Sequence, residues 1–219
     1  MQEAKAGLPG RTGIATAAIA ALCVLFLILN SVIISDEALS ELSDHRPTAL
    51  LMNFLLGCQG RLGEMGSMSF EKVFHAGEWW RLFTHMYLHG GVVHTLINIA
   101  ALLFSARAVE KKLGVRPFLL VYHGIAILDA LILCLLYPGS TSVGASAGIF
   151  GLIGILCMMY VKKDPLCSGC MKKGEKIYLI IFSALSLVIG RVGFMTHLTS
   201  FLLGCLTWFL LQKQPWLNE

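Results

Sequence analysis

Charge is scarce in this chain. Of its 219 residues only 14% are charged, against roughly a quarter in an average soluble domain. Internal repeats and low-complexity segments are absent too, while 56% of the residues are hydrophobic and the mean hydropathy is +0.74. A soluble domain of this size buries a good core but cannot hide that much apolar surface. The composition excludes a disordered tail, a nucleic-acid binder and an ordinary cytosolic enzyme. It is that of a polytopic membrane protein. The net charge of +4 is too small to imply a polyanionic partner, so the placement of the positive charges matters more than their sum.

Six stretches are long and apolar enough to consider as spans: Ile14 to Ile34, Val92 to about Val109, Pro117 to Tyr137, Ser146 to Val161, Ile177 to Ile189, and Val192 to Leu211. Crossing the hydrocarbon core takes about 20 apolar residues, so the fourth and fifth are expected inside a bundle with little tilt. The first is too long for the apolar region of a cleaved signal and reads as an uncleaved signal anchor. Twelve of the 17 basic residues then fall on one side: Lys5, Arg11, Arg107, Lys111, Lys112, Arg116, Lys162, Lys163, Lys172, Lys173, Lys176 and Lys213. The positive-inside rule makes that side, with both termini, cytoplasmic. The long outer loop 35–91 carries an apolar patch, Ala49 to Leu56, and the pair Trp79–Trp80, residues expected to dip into the interface.

Ionisable groups inside spans are costly, so each is a functional candidate. His94 and Asn98 are four residues apart near the outer end of the second span and share a helix face. Ser146 opens the fourth span inside Gly144-Ala145-Ser146-Ala147-Gly148. His197 lies six residues past Arg191, about 9 Å into the sixth span at 1.5 Å per residue. All of these groups come from even-numbered spans and from their outer halves. Taken singly, each reads as ordinary packing, because glycine and serine are common in membrane helices. Four at matching depth point to acyl transfer. A serine hydroxyl needs a base, which histidine supplies, and the tetrahedral intermediate needs donors for its oxyanion. The Ser146 N–H at a helix N-terminus, His94 and the Asn98 amide qualify. No acidic residue lies near His197 in sequence, so the arrangement is a dyad rather than a triad. A soluble hydrolase elbow is excluded, since no strand precedes Gly144.

These residues fall into a known pattern. Trp80-Arg81 with His85, His89, His94 and Asn98, the segment Gly144-Ala145-Ser146-Ala147, His197 followed by Gly204, and Glu110 with Gly114 together closely resemble the rhomboid intramembrane serine proteases over Trp80 to Gly204. The resemblance implies an all-α, six-transmembrane-helix bundle, with residues 1–219 as a single domain and a water-filled cavity open to the outer side. It implies Ser146 as nucleophile, His197 as base, and His94 and Asn98 as oxyanion donors. Phe150 would pack on the catalytic histidine, Trp80 and Arg81 would anchor the first loop in the bilayer, and Glu110 would brace helix packing. His85 and His89 would hydrogen-bond around the cavity rim. It also implies substrates that are single-span membrane proteins, a plasma-membrane location, and neither cofactor nor metal. Two positions depart from the pattern: Ala147 and Ser200 stand where glycine is frequent.

Asp129 in the third span reads as a packing residue, with His123 not an obvious partner. Cys167-Ser168-Gly169-Cys170 lacks the second ligand pair a zinc site needs and reads as a reduced loop pair. Cys23, Cys134, Cys157 and Cys205 read as apolar packing. Cys58 alone lies clearly in the outer loop, so a disulfide framework is not expected. A grouping of His75, His85 and His89 raises a metal site as the lesser reading. Two further functions fit less of the sequence. One is a rhomboid-like protein that binds membrane clients without cutting them, which the intact Ser146–His197 pair argues against. The other is a small transporter relaying protons through Asp129 and the histidines, which leaves the Gly144–Gly148 motif without a role.

Overall fold

The structure, a computed structural model, describes residues 13–32, 55, 61–167, 169–186, 188, 190–214 and 217. Lys5, Arg11, Cys58 and the patch 49–56 apart from Leu55 lie outside the described residues. Among the described residues six helices of fourteen residues or more dominate: α1 (Ile14–Val32), α2 (Val92–Leu113), α3 (Val115–Leu136), α4 (Ser146–Val161), α5 (Lys173–Ser186) and α6 (Gly190–Leu211). By length and composition α2, α3 and α6, of 22 residues each, are sufficient to cross a membrane. At 16 residues, α4 extends only about 24 Å, short of a hydrocarbon core of about 30 Å. Outward-facing leucines and isoleucines on every long helix but α4, among them Leu96, Leu120, Leu135, Ile180 and Leu206, give the bundle the apolar exterior a bilayer requires.

One of the two short apolar spans, α4, sits at the centre. Ala147 through Leu156 of α4 are all buried, because a helix that is apolar on every face is stable only when enclosed; α2, α3 and α6 surround it. Two contacts set how tightly. A Cβ at Gly204 would stand 2.0 Å from the Gly151 carbonyl oxygen, and one at Gly154 would stand 2.2 Å from the Phe201 carbonyl oxygen. Thus α4 and α6 touch backbone to backbone. Ser200 is fully buried on α6, so its departure from glycine leaves this approach intact.

Two boundaries differ from the hydropathy reading by four residues, more than the others. Helix α5 starts at Lys173 rather than Ile177, because the Glu175 carboxylate accepts the Lys172 N–H at 2.8 Å and secures a polar first turn. Helix α2 runs on to Leu113, carrying Glu110 into the interior at 1% exposure. That carboxylate accepts the N–H groups of Gly13 (2.9 Å), Ala15 (3.0 Å) and Thr16 (3.0 Å) and the Thr16 hydroxyl. It caps α1, satisfying donors that a helix N-terminus leaves unpaired and opposing the positive end of its dipole. Glu110→Gln turns one acceptor into a donor facing these N–H groups. It is expected to cost about 3 kcal/mol, read as a lowered melting temperature in detergent; an unchanged value would remove Glu110 from this role.

The described part of the long loop is held by Arg81. This side chain is 4% exposed, pairs with Glu78, and donates to the carbonyls of Glu64 (2.7 Å) and Ser67 (2.8 Å). It therefore clamps the loop from inside rather than reaching into lipid. Its neighbour Trp80 turns outward, 56% exposed, with its indole N–H on the Met65 carbonyl at 3.4 Å. A two-residue ribbon, β1 (Met68–Ser69) antiparallel to β2 (Thr141–Ser142), ties the loop to the approach to α4; a short strand therefore does precede Gly144, contrary to the sequence reading, but it belongs to a two-stranded ribbon and not to the large sheet of a soluble hydrolase. On the lysine-rich side the Cys170 thiol donates to the Cys167 carbonyl at 3.4 Å, and burial pushes the Cys167 thiol up to about 12. No group of three or more metal-ligating side chains occurs among the described residues, and His75 pairs with Glu71 at 2.7 Å. Asp129 meets the Thr199 hydroxyl of α6. His123 is instead engaged by the Tyr87 hydroxyl and the Leu119 carbonyl.

Candidate active site

A cavity of about 600 Å³ lies between α2, α4, α5 and α6, and His94, Asn98, Ser146 and His197 all line it. Four residues separated by up to 103 positions are brought to one place by the central seat of α4.

The two histidines present opposite faces. His197 is 7% exposed; its Nδ1–H donates to the Ser186 carbonyl at 3.2 Å. A carbonyl only accepts, so the Nδ1 atom carries the proton and Nε2 keeps its lone pair. The Phe150 ring stacks on this imidazole, with centroids 4.3 Å apart and planes 21° from parallel. In His94 the roles are reversed: Nδ1 accepts the Gly90 N–H at 3.2 Å, which leaves the hydrogen on Nε2. That edge faces the approach to Ser146. A Cβ at Gly144 would stand 3.4 Å from His94 Nε2, 3.2 Å from Cε1 and 3.9 Å from Ser146 Oγ. Gly144 also has φ +124°, a conformation that side-chain-bearing residues rarely adopt. Glycine is required there twice over.

The turn entering α4 is fixed by the loop. The Gly144 N–H donates to the His85 carbonyl at 2.9 Å, and the Ala145 N–H donates to His89 Nε2 at 3.3 Å. The first bond inside the helix is Ile149 N–H to the Ala145 carbonyl, 3.1 Å. The Ser146 N–H therefore remains free of acceptors among the described residues, as the geometry of a helix N-terminus dictates. Asn98 is 2% exposed and donates one amide hydrogen to the His94 carbonyl at 2.9 Å, while its Oδ1 has no partner among the described residues. Its second amide hydrogen is unspent. The cavity thus holds a hydroxyl, an imidazole lone pair and a set of N–H donors, the parts that acyl transfer uses.

Residues 76–214 match the Rhomboid domain family. The chain belongs to the rhomboid family. Its relatives include the Bacillus subtilis (strain 168) protein YdcA, which carries the rhomboid protease name. It is 37% identical over 136 residues, covering 61% of this chain and 68% of the relative. RHOMBOID-like protein 2 of Arabidopsis thaliana is 31% identical, covering 70% of this chain and 49% of that protein. Rhomboid protease GluP of Bacillus subtilis (strain 168) is 41% identical over 105 residues, covering 48% of this chain and 20% of that protein. The chain thus spans about half or less of the length of the latter two. Family and apolar helices together make it an integral, multi-pass membrane protein.

Within this rhomboid bundle, one orienting group has no sequence signature. The Ser186 carbonyl holds His197, and every residue has a carbonyl, so only its place at the end of α5 singles it out. Gly151 and Gly154, which let α4 lie on α6, likewise sit in an apolar run where their partners are invisible. Asn98→Ala removes the free amide hydrogen and is expected to lower turnover about a hundredfold, with little change in melting temperature. Activity within a factor of two would leave Asn98 as a helix-packing residue.

The loop histidines predict a pH response. Burial pushes His85 down to about 4 and, together with neighbouring His94, pushes His89 down to about 3. The folded chain keeps both neutral. As pH falls below about 6.5 the unfolded chain takes up protons that the folded chain refuses, so stability is full above 6.5 and is lost toward 4. A melting temperature that falls by several degrees between pH 7 and 5 is expected. His85→Gln should flatten part of that slope.

Proposed function

We propose that this rhomboid is an intramembrane serine endopeptidase working through Ser146 and His197. The observation that carries the reading is the opposite protonation of the two cavity histidines: an acceptor nitrogen on His197 and a donor nitrogen on His94, with Ser146 in the same cavity. His197 Nε2 takes the Ser146 proton as Oγ adds to the scissile carbonyl. The oxyanion is held by His94 Nε2–H, the Asn98 amide and the Ser146 N–H. His197 then protonates the leaving amine, and water hydrolyses the acyl-enzyme by the same route in reverse roles. The Ser186 carbonyl fixes the imidazole tautomer, and the Phe150 ring limits its rotation.

Substrates in this reading are single-span membrane proteins cut near the outer face. A helical peptide bond is shielded by its own turn, so cleavage favours small residues at the cut and helix-breaking residues beside it. The lysine-rich side faces the cytoplasm with both termini, the membrane is the plasma membrane, and residues 1–219 act as one domain. Labelling purified protein with a fluorophosphonate probe tests the chemistry without knowledge of a substrate. The expected adduct maps to Ser146. Folded protein that fails to label in detergent and in liposomes would favour a client-binding rhomboid that does not cut.

A further inference from the structure

A second cavity, of about 630 Å³, lies on the other flank of α5, between it and α4 and α6. We propose that it holds one acyl chain of an anionic phospholipid from the leaflet on the lysine-rich side, with the headgroup phosphate on Lys176. Its lining runs along α4 from Phe150 at the deep end to Tyr160 at the mouth. Ten residues of helix make about 15 Å, half of a hydrocarbon core of about 30 Å, which is the depth of one leaflet. Leu156, Ile180 and Phe201 make its walls apolar.

Size decides between a lipid chain and a helix. A transmembrane helix with side chains is at least about 10 Å across, so 15 Å of it fills on the order of 1,200 Å³, about twice the cavity. A single extended chain suits the space; a second span does not.

Charge decides the headgroup. Lys176 is the only lysine, arginine or carboxylate among the lining residues. Its ammonium donates to the Tyr160 hydroxyl at 3.1 Å and lies over that ring at 5.2 Å, so its partners there are neutral. The two nearby carboxylates are engaged elsewhere: Glu175 with Arg107 at 3.4 Å and Asp164 with Lys112 at 3.0 Å. At the deep end, the chain terminus would pack near Phe150, whose ring stacks on Phe182 and on the His197 imidazole, itself part of the lining. The proposal concerns binding and does not depend on proteolysis.

Photo-crosslinking of the full chain in phosphatidylcholine vesicles tests it. The probe is a trace of phosphatidylglycerol, or of phosphatidylcholine, with a photoactivatable group in the acyl chain. Adducts are expected on the α4 and α5 peptides that line the cavity. The phosphatidylglycerol probe should label about fivefold more than the phosphatidylcholine probe, the preference one lysine near the surface confers. Lys176→Gln should bring the two probes level without changing the melting temperature. Ala184→Trp, at an exposed lining position, should remove cavity labelling by both. Equal labelling of the wild type by the two probes overturns the proposal. So does a preference that survives in Lys176→Gln, or adducts spread evenly over lipid-facing residues such as Leu120 and Leu206.

Discussion

Alanine at Ser146 or at His197 is expected to reduce cleavage of a single-span reporter in liposomes at least about a thousandfold, with the melting temperature within a few degrees of wild type. In the proposed mechanism nucleophile and base act as one unit. Without His197 Nε2, the Ser146 proton has no acceptor; without Ser146 Oγ, the imidazole has nothing to activate. Either loss should therefore cost nearly as much as both together. The Ser146→Ala, His197→Ala double variant should be no slower than the singles within a few-fold. Asn98→Ala must behave differently, retaining fluorophosphonate labelling at a reduced rate because its nucleophile and base are intact. Cleavage by Ser146→Ala above about one hundredth of the wild-type rate would sink the assignment. Additive losses in the double variant would mean that the two residues act in separate steps.

The second large effect lies away from the chemistry. Gly204→Val should both destabilise the bundle and lower activity more than a hundredfold. The first atom of any side chain there would stand 2.0 Å from the Gly151 carbonyl oxygen, and both partners are backbone in helix interiors. Neither can turn aside, so α4 and α6 must separate. Those helices carry Ser146 and His197 respectively, and a misplacement of about 1 Å in a catalytic pair costs on the order of a hundredfold. Overpacking a tight core typically costs 1–3 kcal/mol or more, so a melting temperature lower by several degrees is expected as well. Gly174→Ala serves as the control, since nothing stands within 4 Å of a Cβ there. A Gly204→Val protein with normal activity would show that the two helices do not set the dyad geometry.

Much of the site was legible before any fold was known. His94 and Asn98 are four residues apart on one helix, Ser146 opens another, and His197 lies at a similar depth in a third. A membrane supplies a common depth coordinate that soluble chains lack, so residues far apart in sequence can be compared by height alone. The roles at the margins were less legible. Trp80 and Arg81 are adjacent and read as a matched pair of lipid anchors. In the loop they diverge, because the guanidinium finds two carbonyls and Glu78 inside while the indole stays at the surface. The beginning of α5 was hidden because its first turn is polar, held by Glu175 rather than by burial.

What the sequence by itself determined is the class of the protein and the chemical inventory of its cavity. Hydropathy and charge placement depend on composition along one helix at a time, and a linear reading captures them. The direction of the His197 imidazole was decided by tertiary structure. Its Nδ1 meets the Ser186 carbonyl across to α5, which leaves Nε2 for the proposed role as base, whereas His94 meets the Gly90 N–H one turn before it in sequence. Both partners are backbone atoms, chemically the same at every residue. The seat of the end of α5 beside α6 selects the carbonyl that meets His197, and no side chain reports that contact.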